Sequence, residues 1–145
     1  CKNQWYLEYI TKMKPDEVLL GVKDFIDELH GKGVKIGLGS ASKNARLILN
    51  QIRMIDQFQT IVDGTRVSKA KPDPEIFLLA AMDLNVKPEQ SIIFEDAEAG
   101  IESAIRGGFR SVGVGDSSIL YKANVVIPNF KGLTYDKFIR LMQKS

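Results

Sequence analysis

The sequence holds one cysteine, Cys1, and one histidine, His30, in 145 residues. A lone cysteine cannot close an internal disulfide, and a lone histidine argues against a histidine-based metal site or a catalytic triad. His30 falls late in a helical pattern, the usual place of a solvated or helix-end residue. No apolar run approaches the ~18 to 20 residues of a membrane span, and the first residues, CKNQWYLEYI, lack the apolar core and small-residue cleavage site of a secretory signal. A cytoplasmic protein without membrane contact is expected. Charge of one sign is also lacking. Twenty Lys and Arg against eighteen Asp and Glu leave a formal charge of +2. The basic residues are dispersed, so a nucleic-acid partner is not expected. Internal repeats, low-complexity tracts and Gly/Ser/Pro-rich linkers are absent as well.

A hydrophobic content of 44% suffices for a packed core in one domain of ordinary size. Apolar periodicity predicts helices over 3–13, 22–31, 44–52, 74–84, 99–106 and 134–143, and strands over 34–38, 60–62, 91–94, 111–114 and 124–127. Trp5, Tyr6, Tyr9, Ile10 and Met13 form a packing face on the first helix. Gly31 with Gly33 closes the second, Pro74 suits the first turn of the fourth, and Gly107-Gly108 stops the fifth. Strands alternating with helices imply an α/β fold with a largely parallel sheet covered on both faces. In such sheets ligands bind at the carboxyl ends of the strands.

Three strand ends carry unusual polar groups. After 34–38 comes Ser40-Ala41-Ser42-Lys43-Asn44, whose small side chains leave backbone N–H groups accessible to an anion at a helix start. The same residues could serve as a plain helix N-cap. Past the strand ending at Phe94, Glu95 and Asp96 stand side by side. Asp96 could cap the next helix, or the two carboxylates could hold a hard cation, most naturally magnesium. In SKAKPDPEIF, Pro72 restricts Lys71 to an extended conformation and so aims a side chain that would otherwise be ordinary solvated lysine. An ammonium fixed in this way can neutralise a phosphoryl group and an attacking carboxylate together.

Serine at a strand end, then Lys-Pro-x-Pro-x-x-Phe, then an apolar strand ending in acids before Ala-Gly-Ile, resembles the haloacid dehalogenase-like (HAD) superfamily over nearly the whole chain. The resemblance implies a Rossmann-like α/β core, with Ser40 as the hydroxyl on the transferring phosphoryl group, Lys71 as the motif lysine, and Glu95 and Asp96 as acids near Mg2+, Asp96 being the more direct ligand. Within the superfamily, SASKN is similar to a loop of the β-phosphoglucomutases. It implies that Ser42, Lys43 and Asn44 grip a sugar's distal phosphate while Ser40 and the Ala41 N–H hold the reacting one. KNQWY resembles the end of a helical cap, which makes Lys2 a candidate substrate contact. Residues 1–14 are then expected to be a cap remnant and 15–145 the core.

The superfamily's first motif, a strand ending in Asp-x-Asp whose first aspartate accepts the phosphoryl group, does not occur in the sequence. The resemblance places that strand centrally, between the strand leading to Ser40 and the one ending at Phe94. Its absence leads to the expectation of a C-terminal fragment, inactive alone. A separate N-terminal segment or another copy of the chain is expected to complete the sheet, since unsatisfied buried backbone groups cost about 1–3 kcal/mol each. The intact form is expected to interconvert β-glucose 1-phosphate and glucose 6-phosphate through an aspartyl phosphate. A HAD-type phosphatase of small phosphate esters, or a non-catalytic module that binds phosphate or self-assembles, are the alternatives.

Overall fold

The computed structural model describes residues 22–39, 56 and 58–143. The expected helices over 3–13 and 44–52, and the boundary between a cap remnant and the core at residue 14, lie outside these residues.

The described elements follow in the order α1 (Val22–Gly31), β1 (Gly37–Gly39), β2 (Thr60–Val62), α2 (Glu75–Leu84), a 3-10 turn (Pro88–Gln90), β3 (Ile92–Glu95), α3 (Glu98–Gly107), β4 (Arg110–Val114), β5 (Val125–Ile127) and α4 (Tyr135–Gln143). All strand pairs are parallel, with Leu38 opposite Ile61, Phe94 opposite Val112 and Val114 opposite Ile127. The architecture is thus the expected Rossmann-like α/β fold.

Most expected boundaries move by a single residue, and two of the shifts bear on the site. The strand expected over 34–38 pairs only at Gly37–Gly39. Ile36 is tied instead to Gln59, whose backbone N–H donates to the Ile36 carbonyl at 2.8 Å and whose side-chain oxygen accepts from the Ile36 N–H. The strand expected over 91–94 runs through Glu95, so this carboxylate belongs to the strand and not to the loop beyond it.

The strands sort their side chains by period two. Ile92 and Phe94 join Phe25, Ile26, Leu38, Val112, Phe130 and Phe138 in one core under α1 and α4. Ile93 faces the opposite side, where Val62, Phe77, Ala80, Leu84, Ala104 and Phe109 form a second core under α2 and α3. Continuing the alternation, Glu95 comes out on the α2/α3 side. The helices end where the sequence supplies left-handed residues: Asn85 after α2 at φ 57° and Gly108 after α3 at φ 83°.

Among the described residues the strands form two ladders, β1-β2 and β3-β4-β5, with no pairing between β1 and β3. Both strands are buried along their whole length, and side-chain packing in the first core joins the two ladders. An aromatic cluster does much of this joining. Phe25 lies edge-on to Phe94 and Phe138, with ring centroids 5.8 and 5.6 Å apart, and 6.1 Å from Phe130. Phe25→Ala should therefore lower the unfolding free energy by about 3–5 kcal/mol, read from urea denaturation; a loss under about 1 kcal/mol would show that the cluster does not carry the packing assigned to it.

Candidate active site

The site is built around the carboxyl end of β3. Glu95 is the last residue of that strand, and its side chain is only 1% exposed. Such a carboxylate needs partners for both oxygens. Its Oε2 accepts from the Lys71 Nζ at 2.8 Å. Its Oε1 accepts from the backbone N–H groups of Asp96 at 3.0 Å and Ala97 at 3.2 Å. Burial pushes the Glu95 carboxyl up to about 7, Lys71 pulls it down, and the neighbouring Asp96 raises it further.

Lys71 reaches this position from a turn. The Asp73 N–H donates to the Ala70 carbonyl at 3.0 Å, and the Lys71–Pro72 peptide is cis. This is the pattern of a reverse turn with a cis proline at its third position. Lys71, the residue before the proline, takes the second position of this turn, and the chain folds back before α2. The lysine is positioned all the same. Its ammonium lies 5.1 Å from the centroid of Phe77, on the first turns of α2, and its side chain is 15% exposed.

The third wall is α3. A Cβ on Gly100 would stand 2.0 Å from the Glu95 Cδ, so the carboxylate lies directly against the helix backbone. Only glycine leaves that space. Asp96 does not cap α3: the N-cap is Ala97, with no side-chain hydrogen bond, and the amides just ahead of the helix go to Glu95. Asp96 itself is exposed beside the buried pair. A cavity of about 340 Å3 is lined by Pro72, Glu98, Ala99, Glu102 and Lys122, without Lys71, Glu95 or Asp96 in its lining.

The structure therefore brings together Lys71, Glu95 and Asp96 from the sequence-derived set. Ser40, Ala41, Ser42, Lys43, Asn44 and Lys2 lie outside the described residues. Gly100 and Phe77 are additions. Sequence reasoning counted Gly100 and Phe77 only as parts of a family pattern, Phe77 also falling in an apolar helix. A glycine inside a helical pattern was the available signal for the first; the second carried none, since its packing role explains it equally well.

The Lys71–Glu95 pair has a pH signature. Between the ordinary carboxylate value and about 7 the folded chain keeps a proton that the unfolded chain has released, so stability falls as pH rises through that window. Lys71→Met removes the group that pulls the Glu95 carboxyl down and extends the window upward. In chelator-containing buffer the variant should lose about 3–5 kcal/mol at pH 8, where Glu95 without its partner must either stay ionised or take up a proton that the unfolded chain does not hold. At pH 5 it should lose distinctly less, because the carboxyl takes up a proton. Equal losses at the two pH values by urea denaturation would contradict this.

Comparison with known proteins agrees with the geometry. The model of the haloacid dehalogenase-like hydrolase family matches residues 2–114. The chain is 41% identical over 135 residues to a β-phosphoglucomutase of Bacillus subtilis, covering 93% of this chain and 60% of that protein. It is 34% identical over 109 residues to a fructose-1-phosphate phosphatase of Escherichia coli, covering 74% and 58%. Among solved structures, a β-phosphoglucomutase from Clostridium difficile superposes with a TM-score of 0.85 at 36% identity, over 92% of this chain and 60% of the other. The chain thus spans about 60% of the length of these relatives. A parallel α/β core with a Lys-Pro-x-Pro lysine paired to the acid at the end of its third described strand, together with the family match, shows that the chain belongs to the haloacid dehalogenase-like hydrolase family.

Proposed function

We propose that this chain forms part of a phosphotransferase of the β-phosphoglucomutase type, acting on a sugar phosphate in the cytoplasm and interconverting β-glucose 1-phosphate and glucose 6-phosphate. The observation that carries the reading is the Lys71–Glu95 pair at 2.8 Å, buried at the carboxyl end of β3 with Asp96 exposed beside it. A fixed ammonium there is placed to meet the charge that develops on a transferring phosphoryl group. The similarity to β-phosphoglucomutases supports the substrate class.

The donor set fits a hard cation. Both Glu95 oxygens are engaged by protein donors, which leaves the exposed Asp96 carboxylate as the natural direct ligand and Glu95 as the acid behind it. Magnesium, when bound, would neutralise phosphoryl oxygens and help to align the transfer. Ser40 and the Ala41 N–H are assigned to the reacting phosphate, Ser42, Lys43 and Asn44 to the distal one, and Lys2 to the substrate's edge. The phosphoryl-accepting aspartate is not among these residues, because the sequence has no Asp-x-Asp. We assign it to a strand between β1 and β3 supplied by an N-terminal segment; another copy of this chain would complete the sheet without bringing that aspartate. The break between the β1-β2 and β3-β4-β5 ladders supports that placement.

The fructose-1-phosphate phosphatase relative favours a second reading, hydrolysis of a small phosphate ester. Phosphorus NMR on protein that includes the Asp-x-Asp strand separates the two. A mutase converts β-glucose 1-phosphate to glucose 6-phosphate without net phosphate release, whereas stoichiometric inorganic phosphate would mean a phosphatase. Turnover of neither kind would sink the catalytic reading.

Two substitutions in that same protein test the residue roles. Asp96→Ala should weaken magnesium binding, measured by calorimetry, more than Glu95→Ala does; equal effects would undo the assignment of Asp96 as direct ligand. Lys43→Ala should remove a charge-assisted hydrogen bond of roughly 1.5–3 kcal/mol and lower kcat/KM for the sugar phosphate about 10- to 150-fold. Acetyl phosphate has no distal phosphate, so its rate of phosphorylating the protein should change little. Equal losses with both substrates would assign Lys43 to the reacting site or the fold.

A further inference from the structure

Lys71 sits in a loop whose two ends are fastened by one side chain. Glu75, the first residue of α2, reaches back to the start of the loop. Its Oε1 accepts the backbone N–H of Ser68 at 2.6 Å and that of Lys69 at 2.9 Å, and its Oε2 accepts the Ser68 hydroxyl at 3.1 Å. The base of α2 is itself anchored, since Ile76 and Phe77 are buried in the second core and the Asp73 carboxylate accepts the Glu75 N–H at 2.9 Å. Between the two attachment points lie Ala70, Lys71, Pro72, Asp73 and Pro74, with the turn hydrogen bond from Asp73 to Ala70 inside the closed segment. The amides of Lys69 and Ser68 hold the Glu75 carboxyl below the ordinary carboxylate range, as expected for an anion that accepts from backbone donors.

We propose that Glu75 is a positioning residue for Lys71: by clasping the amides of Ser68 and Lys69 it closes the 68–75 loop, and the closed loop delivers the Lys71 ammonium to Glu95. The Glu75 carboxylate bonds the Ser68 and Lys69 amides, so it acts on Lys71 through the backbone. A long, flexible lysine side chain hung on an open loop would sample many directions. On the closed loop it has an anchored Cα and is held against the Glu95 carboxylate and the Phe77 ring. The meaning of this for catalysis rests on the role proposed for Lys71, but the geometry can be tested without substrate, so the two ideas fail separately.

The test is competitive acetylation of the intact 145-residue chain at limiting reagent, with the rate at each lysine read by peptide mass spectrometry and normalised to the exposed Lys122. Lys35 serves as an internal monitor of global opening, because its Nζ donates to the Leu84 carbonyl at 2.8 Å, far from the loop in sequence. In Glu75→Ala the Lys71 rate should rise about three- to tenfold as the loop opens locally, while the Lys35 rate stays within about twofold of wild type. Glu75→Gln retains an oxygen that can accept from the same amides and should return Lys71 most of the way to the wild-type rate. An unchanged Lys71 rate in Glu75→Ala would overturn the proposal. So would a parallel rise at Lys71 and Lys35, which would mean that Glu75 supports the fold at large and not the lysine.

Discussion

A carboxylate buried at the end of a β-strand constrains everything around it. Glu95 is at the tip of β3, nearly inaccessible to water, and an ionised group there has to find its solvation within the protein. Each neighbouring element answers that need. The loop ahead of α2 provides the Lys71 ammonium, the chain entering α3 provides two N–H donors, and α3 provides a backbone surface without a side chain at Gly100. A buried ion pair is weak evidence for stability, because desolvation offsets much of the Coulombic gain. Its presence here makes better sense as a way of presenting a lysine of fixed direction next to an exposed acid.

The two-faced packing of the sheet explains why the acid ends up near that lysine. Ile92 and Phe94 point into the aromatic core beneath α1 and α4, so Ile93 and Glu95 must point the other way, toward α2 and α3. A one-residue slip of β3 would exchange the two sets, burying Glu95 among phenylalanines. The register that packs Phe94 against Phe25 therefore also sets the direction of the charge.

Much of this was legible in the sequence. Short apolar runs alternating with periodic helices gave the parallel α/β fold, and the positions of Lys71, Glu95 and Asp96 at strand ends marked the site. What escaped was geometry that depends on contacts remote in sequence. The reversal of the chain around Lys71–Pro72 was not foreseen, because the bond from Asp73 back to Ala70 that closes it leaves no sequence pattern of its own. Glu95 was read as a loop residue because acids rarely lie buried in a strand, and its burial depends on the approach of Lys71 from 24 positions away together with the amides of Asp96 and Ala97. The clasp of Glu75 on Ser68 and Lys69 leaves no periodic trace at all, since one carboxylate at a helix start looks like any other.

Gly100 shows local preference and site chemistry pulling in opposite directions. A glycine within a helix is less favourable than alanine by roughly 0.5–1 kcal/mol, and α3 carries it inside its first turns. The helix tolerates that weakness because its backbone serves as the wall of a polar chamber. Thermostabilisation schemes that replace helical glycines by alanine, on the general ground that this lowers the conformational entropy of the unfolded chain, would here strike the one glycine of α3 that fronts the Glu95 carboxylate. The position is a point of deliberate frustration, and it marks the site on the helix as clearly as any charged residue does.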